Sequence, residues 1–314
     1  MSAFVRAQRP IVAYLVASHE RPEQVIRLVR TLRREAPQSY VLIHHDYSKS
    51  DLPADTFVDD PNVAIMADWV PVTWAEFSQV ELVLRAINTL LRDGRPFEYL
   101  ALLSGADYPL RPLPAFEDAL RESGDGTIAY EESNGLLHRY VLAWHRLPAA
   151  LEGSVSEAVF TRLAGRLNGR QPVVRFAHGR VGCRIGWPSA RAPFGPTLRP
   201  YKGTTWWSIA RSCVEYVHDF VAREHAFVDW YRRRTFMADE SFFQTILYNA
   251  NRFRLRNDDG RFVRWEGPAA ASPATLHSDD LSDALASGKF FARKFDMRAD
   301  RGVLDRLDTL VRAA

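Results

Sequence analysis

Ile11-Val-Ala-Tyr-Leu-Val-Ala17, followed by Ser18-His-Glu-Arg-Pro-Glu23, is the stretch that decides the fold. Seven unbroken apolar residues match a strand covered on both faces. The polar Ser18, His19 and Glu20 end it. Pro22 then opens a helix, at a position where a missing N–H costs nothing. Val25, Ile26, Leu28, Val29 and Leu32 give this helix an apolar stripe, and Pro37 stops it. Residues 40–43 read as a second strand running into His44-His45-Asp46, and residues 63–66 as a third. Residues 77–91 form an amphipathic helix with Val80, Leu84, Ile87 and Leu91 on one side, broken by Gly94-Arg-Pro96. Residues 99–103 make a fourth strand that halts at Ser104-Gly-Ala-Asp107. Strand–helix–strand–strand–helix–strand implies an α/β fold: a Rossmann-type, mostly parallel central sheet with helices on both faces. In such sheets ligands bind beyond the carboxyl ends of the strands. Here those ends are 18–20, 44–46 and 104–107, small and polar enough for a nucleotide. No G-x-G-x-x-G follows the first strand and no Walker loop occurs, which argues against a dinucleotide dehydrogenase and a P-loop kinase.

The second half is less regular. Residues 131–197 read as long loops lining one side of a cleft, with a helical piece at 155–167. Residues 201–209 read as a strand bearing Trp206 and Trp207, and 211–223 as a helix. In Met237-Ala-Asp-Glu-Ser-Phe-Phe-Gln-Thr-Ile-Leu-Tyr248, the residues Phe242, Phe243, Ile246 and Leu247 recur at helical spacing. That places Asp239 and Glu240 in the first turn of a helix, where the dipole favours negative charge. Residues 253–256 and 261–265 read as a hairpin about 258–260, and a tail helix follows 290–296. No repeat or linker divides the chain, so a single compact unit is expected.

Composition sets outer limits. Of 314 residues, 46% are hydrophobic and 25% charged, ordinary for a globular protein with a real core. Forty-one Lys and Arg face 38 Asp and Glu, so the chain is not a polycation made for nucleic acid. Two cysteines, Cys183 and Cys213, cannot make a disulfide scaffold and form no metal-ligand pair. No apolar run is long enough for an integral membrane segment. The run at 11–17 follows Arg6 and Arg9, but it is too short for a signal peptide and lacks a small-residue cleavage site. A soluble, cytoplasmic protein is the expectation.

Four groups could carry chemistry. Of Asp239 and Glu240, one carboxylate can cap the helix while the other turns into the cleft as a general base; the plain alternative makes both structural. Arg293 and Lys294, between Phe290, Phe291 and Phe295, could hold a diphosphate without a metal, or be a surface basic pair. His44, His45 and Asp46 suggest a metal, yet neighbours on a strand point to opposite sides. Trp206 and Trp207 could stack on a sugar, though on a strand one of them must turn to the core. Asp107 sits at a strand end, as a ligand or a turn cap.

The motifs also form an ordered series. It comprises Val41-Leu-Ile-His-His-Asp46 with Ser48-Lys-Ser50, Val72-Thr-Trp-Ala-Glu-Phe-Ser78 and Leu102-Leu-Ser-Gly-Ala-Asp-Tyr-Pro-Leu110. Gly203-Thr-Thr-Trp-Trp-Ser-Ile-Ala-Arg211, Ala238-Asp-Glu-Ser-Phe-Phe-Gln-Thr245 and Phe291-Ala-Arg-Lys-Phe-Asp296 complete it. This series resembles the core-2/I-branching N-acetylglucosaminyltransferase and peptide xylosyltransferase family, from residue 11 to 296 apart from 131–197. The resemblance implies a GT-A fold, with residues 1–130 as a nucleotide-binding half and 131–314 as an acceptor and catalytic half. It implies an inverting transfer from a UDP-sugar donor to a carbohydrate or other hydroxyl-bearing acceptor, with no cofactor and no divalent metal. Glu240 would be the catalytic base and Lys294, helped by Arg293, the diphosphate ligand. His44, Asp46 and Asp107 would lie near the nucleotide, with Asp239, Trp206 and Trp207 on the substrate side. The family's second diphosphate-binding arginine would fall near Ala271 and Ser272, where no arginine stands; Arg264 or His277 are the stand-ins. Two other readings are a metal-dependent transferase or hydrolase built on His44, His45 and Asp46, and a non-catalytic carbohydrate-binding protein.

Overall fold

The apolar run at the start of the chain becomes β1 (Val12–Ser18), and its alternation builds both cores. Ala13 and Leu15 face one side, Val12, Tyr14 and Val16 the other, and all are buried. A computed structural model describes residues 11–131, 136–148, 153–170, 173–267, 270 and 272–312. After β1 come α1 (Pro22–Glu35), β2 (Tyr40–His45), β3 (Val63–Ile65), α2 (Ser78–Arg92) and β4 (Tyr99–Ser104), in the expected order and within a few residues of the expected bounds. Then follow β5 (Tyr108–Pro109), α3 (Leu113–Ser123), β6 (Gly126–Glu131), α4 (His138–Val141), β7 (Leu142–Arg146), α5 (Ser154–Leu167), β8 (Arg175–Ala177) and β9 (Arg184–Pro188). The rest comprises β10 (Lys202–Ala210), α6 (Arg211–Arg223), α7 (His225–Arg234), α8 (Phe242–Asn249), β11 (Leu255–Arg256), β12 (Arg261–Val263), α9 (Leu281–Ala286), β13 (Phe291–Arg293) and α10 (Arg301–Arg312).

Among the described residues a seven-stranded sheet runs β11-β6-β10-β4-β1-β2-β3. Strands β4, β1, β2 and β3 are parallel, β11 is parallel to β6, and β10 runs antiparallel to both its neighbours. The mostly parallel α/β sheet is thus present, with one reversed strand. Apolar residues of α2, α6, α7 and α8 cover one face and those of α1, α3 and α10 the other. Strands from the second half complete the same sheet, so the chain has no seam at residue 130. No helix among the described residues is long and apolar enough to cross a membrane.

Two expectations are corrected. Residues 253–265 are not a hairpin: β11 joins the large sheet, while β12 joins a second sheet of order β12-β13-β5. Gly260, at φ +68°, turns the chain between them. Buried Arg261 then fixes the exit, donating to the Leu102 carbonyl at 2.6 Å. Within 131–197 a third antiparallel sheet, β7-β9-β8, stands where loops were expected. Gly186 of β9 stands opposite Trp144 of β7, and any Cβ there would lie 2.7 Å from the Trp144 ring.

Candidate active site

β1, β2 and β4 end on one edge of the sheet, with Ala17 level with both His44 and Ser104. The three residues closing β2 do not converge. His44 is fully buried, and its Nε2 accepts the Val70 N–H at 3.1 Å. Burial pushes the His44 imidazole down to about 4, so the ring is neutral. His45 bonds Ser18 Oγ through Nδ1 at 2.9 Å and the Ser50 carbonyl through Nε2 at 2.8 Å. Asp46 accepts from Ser48 Oγ at 2.6 Å and Val72 N–H at 2.8 Å. Burial raises its carboxyl, but these bonds hold it below the usual range. The metal-site reading is therefore corrected: the donor atoms diverge, and all but His44 Nδ1, which has no hydrogen-bond partner, are engaged, so no group of three possible ligands gathers among the described residues. His44, Asp46 and Asp107, expected near the nucleotide, stand at the strand ends with 0% exposure. They brace the walls of the crevice.

Asp107 does this by charge. Ser104 donates to it through N–H and Oγ, at 3.0 and 2.8 Å. Arg293 Nε donates to it at 2.9 Å, and fully buried Arg261 lies at 3.7 Å. A buried carboxylate with paired guanidinium groups is costly to break. Arg293 is thereby aimed, and its guanidinium lies over the Trp206 ring at 4.4 Å. Trp206 and Trp207 part as strand alternation requires. Trp207 is fully buried, with its ring 5.3 Å from that of Phe243. A sugar contact at Trp207 is thus corrected to core packing.

The two carboxylates stand in a 3₁₀ turn, Ala238–Glu240, and not in the first turn of α8. The reason lies upstream. Met237 takes a left-handed φ of 55°, and its N–H donates to Ala75, itself at φ 65°, at 2.7 Å. Each such non-glycine residue costs of order 1 kcal/mol and needs surrounding structure to hold it. Asp239 turns inward and accepts from Thr205 Oγ1 at 2.6 Å. Burial raises its carboxyl. Glu240 turns outward, with 22% of its side chain exposed. Arg139 lies 3.6 Å and Lys202 3.9 Å from its carboxylate. Burial and the Asp239 charge outweigh those two cations and push Glu240 up to about 7. Lys202 is itself bound to Glu131 at 2.8 Å.

Residues 70–76 link the two sides of the site. Val72 bonds Asp46, Ala75 bonds Met237, and Glu76 pairs with Arg184 and Arg146 of the β7-β9 sheet. Among residues missed in the sequence, Lys202 carried a signal: a lysine entering a buried strand needs an acidic partner. Arg139 carried none. Of the proposed stand-ins for the missing arginine, Arg264 pairs with Asp280 at 2.9 Å and His277 caps the turn at Ser278–Asp280. Ala271 lies outside the described residues. Both cysteines are buried, and they do not form a disulfide with each other.

The model of the Core-2/I-Branching enzyme family matches residues 12–147 and 182–285. Beta-glucuronosyltransferase GlcAT14B of Arabidopsis thaliana is 24% identical over 95% of this chain and 65% of its own length. Beta-glucuronosyltransferase GlcAT14A of the same plant is 25% identical over 94% and 59%. Xylosyltransferase 2 of Canis lupus familiaris is 25% identical over 97% of this chain and 35% of its own length. The chain thus spans about two thirds or less of these relatives.

Proposed function

Because the chain belongs to the Core-2/I-branching enzyme family, we propose that it is an inverting glycosyltransferase. It moves a sugar from a UDP-sugar to an acceptor hydroxyl, without a divalent metal and with Glu240 as general base. One observation carries this reading. Glu240 is an outward-facing carboxylate with its pKa near 7, in the crevice beyond the strand ends. A base works best when its pKa lies near the working pH.

Ionised Glu240 takes the acceptor proton as the acceptor oxygen bonds to the anomeric carbon from the face opposite the diphosphate. The bond from that carbon to the diphosphate oxygen breaks, and its electron pair leaves with UDP. Lys294, with Arg293 aimed by Asp107 beside it, balances the charge gathering on the diphosphate. A recess of about 510 Å³ along β3, lined in part by Tyr47, Phe57 and Trp69 and adjoining the Asp46 loop, is the place we assign to the nucleobase. Trp206, held under Arg293, offers a face to the sugar. Donor contacts then come from both halves of the chain.

The test is release of UDP by the purified chain, with donor chosen by thermal shift across UDP-sugars. Glu240→Gln should lower turnover about 10³-fold and leave UDP affinity unchanged; near-normal turnover refutes the assignment. Activity should survive EDTA, and a loss restored by added metal removes the metal-free part. UDP release itself discards a purely carbohydrate-binding role.

A further inference from the structure

Lys294 has no salt-bridge partner among the described residues, and neither has Arg180. Each is nevertheless held in place. The backbone of Lys294 is fixed by the Leu276 N–H donating to its carbonyl at 2.7 Å. Arg180 sits on the tight turn Gly179–Val181, between Gly179 at φ +83° and Gly182 at φ +72°. Its guanidinium lies over the Trp74 ring at 4.4 Å. Trp74 belongs to the linking loop 70–76, whose Val72 touches Asp46 and whose Ala75 touches Met237. Glu76 of the same loop grips Arg184, so the turn bearing Arg180 is anchored twice.

Arg180 lies within electrostatic reach of Lys294: burial first, then Arg293 and Arg180, hold the Lys294 ammonium below its usual range. The other nearby guanidinium groups are engaged, Arg293 by Asp107 and Arg21 by Glu20 and Asp296. Glu20, itself paired with Arg21, offsets part of this charge; the excess of cations that remains leaves a positive field, which an anion would relieve.

We propose that Arg180 is a ligand of the donor diphosphate, closing on it opposite Lys294 and taking the place of the arginine absent near Ser272. The assignment rests on reading the crevice as a UDP-sugar site. It puts a donor-binding group in residues 148–181, the stretch between the two segments that match the family. The β7-β9 sheet therefore serves both reactants: Arg139, just before it, reaches Glu240, and Arg180 reaches the leaving group.

The experiment is calorimetric titration of the whole chain with UDP and with UMP. Wild type should prefer UDP. Arg180→Ala should weaken UDP about tenfold, the scale of one charge-assisted hydrogen bond, and change UMP by less than about twofold. Arg180→Lys should recover part of the loss, and melting temperatures should stay level. UDP affinity unchanged in Arg180→Ala while Lys294→Ala loses it would overturn the assignment. Equal losses for UDP and UMP would also overturn it, as a general disturbance. A wild type that binds no UDP would instead bring down the reading of the site itself.

Discussion

Lys202→Met probes the electrostatics of the proposed base while keeping the volume of the side chain. Lys202 stands 3.9 Å from the Glu240 carboxylate. At an effective dielectric constant near 20, a pair at that distance is worth about 4 kcal/mol, an upper bound of about 3 pKa units. Glu240 is 22% exposed and Glu131, the other carboxylate paired with Lys202, 52% exposed, so water screens the pair. A shift of about 1 unit or more remains. Its sign is fixed: losing a cation disfavours the carboxylate, so the pKa rises from about 7 towards 8. The base must be ionised, so activity is lost as pH falls through that value. At pH 7 the ionised fraction drops from about one half to about one tenth, and kcat/KM falls about fivefold. Above about pH 9 the variant should approach wild type. The assay is the pH profile of kcat/KM for UDP release, with the melting temperature as control. An acid limb that stays put, or moves to lower pH, refutes Glu240 as the titrating base.

The paired tryptophans should separate cleanly. Trp207→Ala empties a fully buried site and should cost about 3–5 kcal/mol in chemical denaturation. Trp206→Ala removes the ring beneath the Arg293 guanidinium and should raise the donor KM with stability nearly unchanged; equal destabilisation by the two would refute the division. Asp107→Asn strips the counter-charge from buried Arg261 and from Arg293, and should cost about 3–5 kcal/mol. An unmoved denaturation midpoint would show that Asp107 is not the anchor described here.

Residues 11–104 were legible because local signals and tertiary demands agree there. A strand covered on both faces must be apolar throughout, and β1 is; a helix on a sheet needs one stripe, and α1 and α2 have one. Agreement fails where distant parts of the chain dictate shape. The 3₁₀ turn under Glu240 follows from the bond between Met237 and Ala75, which no local pattern announces. The hairpin at 253–265 had the right turn residues, but its strands find partners elsewhere in β6 and β13. β9 alternates over five residues only, with Gly186 chosen to admit Trp144, so its pattern reads as loop. In the site, Glu240, Arg293 and Lys294 stood out as charges beside aromatics. Arg139 and Arg180 are visible only once separate segments meet, and Lys202 announces only that it needs an acidic partner, not which one.

The reversed strand β10 carries four consequences of one register. Lys202 meets Glu240, Thr205 meets Asp239, Trp206 lies under Arg293, and Trp207 fills the core. Its pairing with β6 shifts between Gly203 and Trp207, and Gly203 lies so close to Ala129 that no Cβ fits there. Adding or removing one residue in this strand would exchange the two faces. Such a frame-shifting indel would undo base, indole platform and core together. Length variation among natural variants should accordingly skip these nine positions.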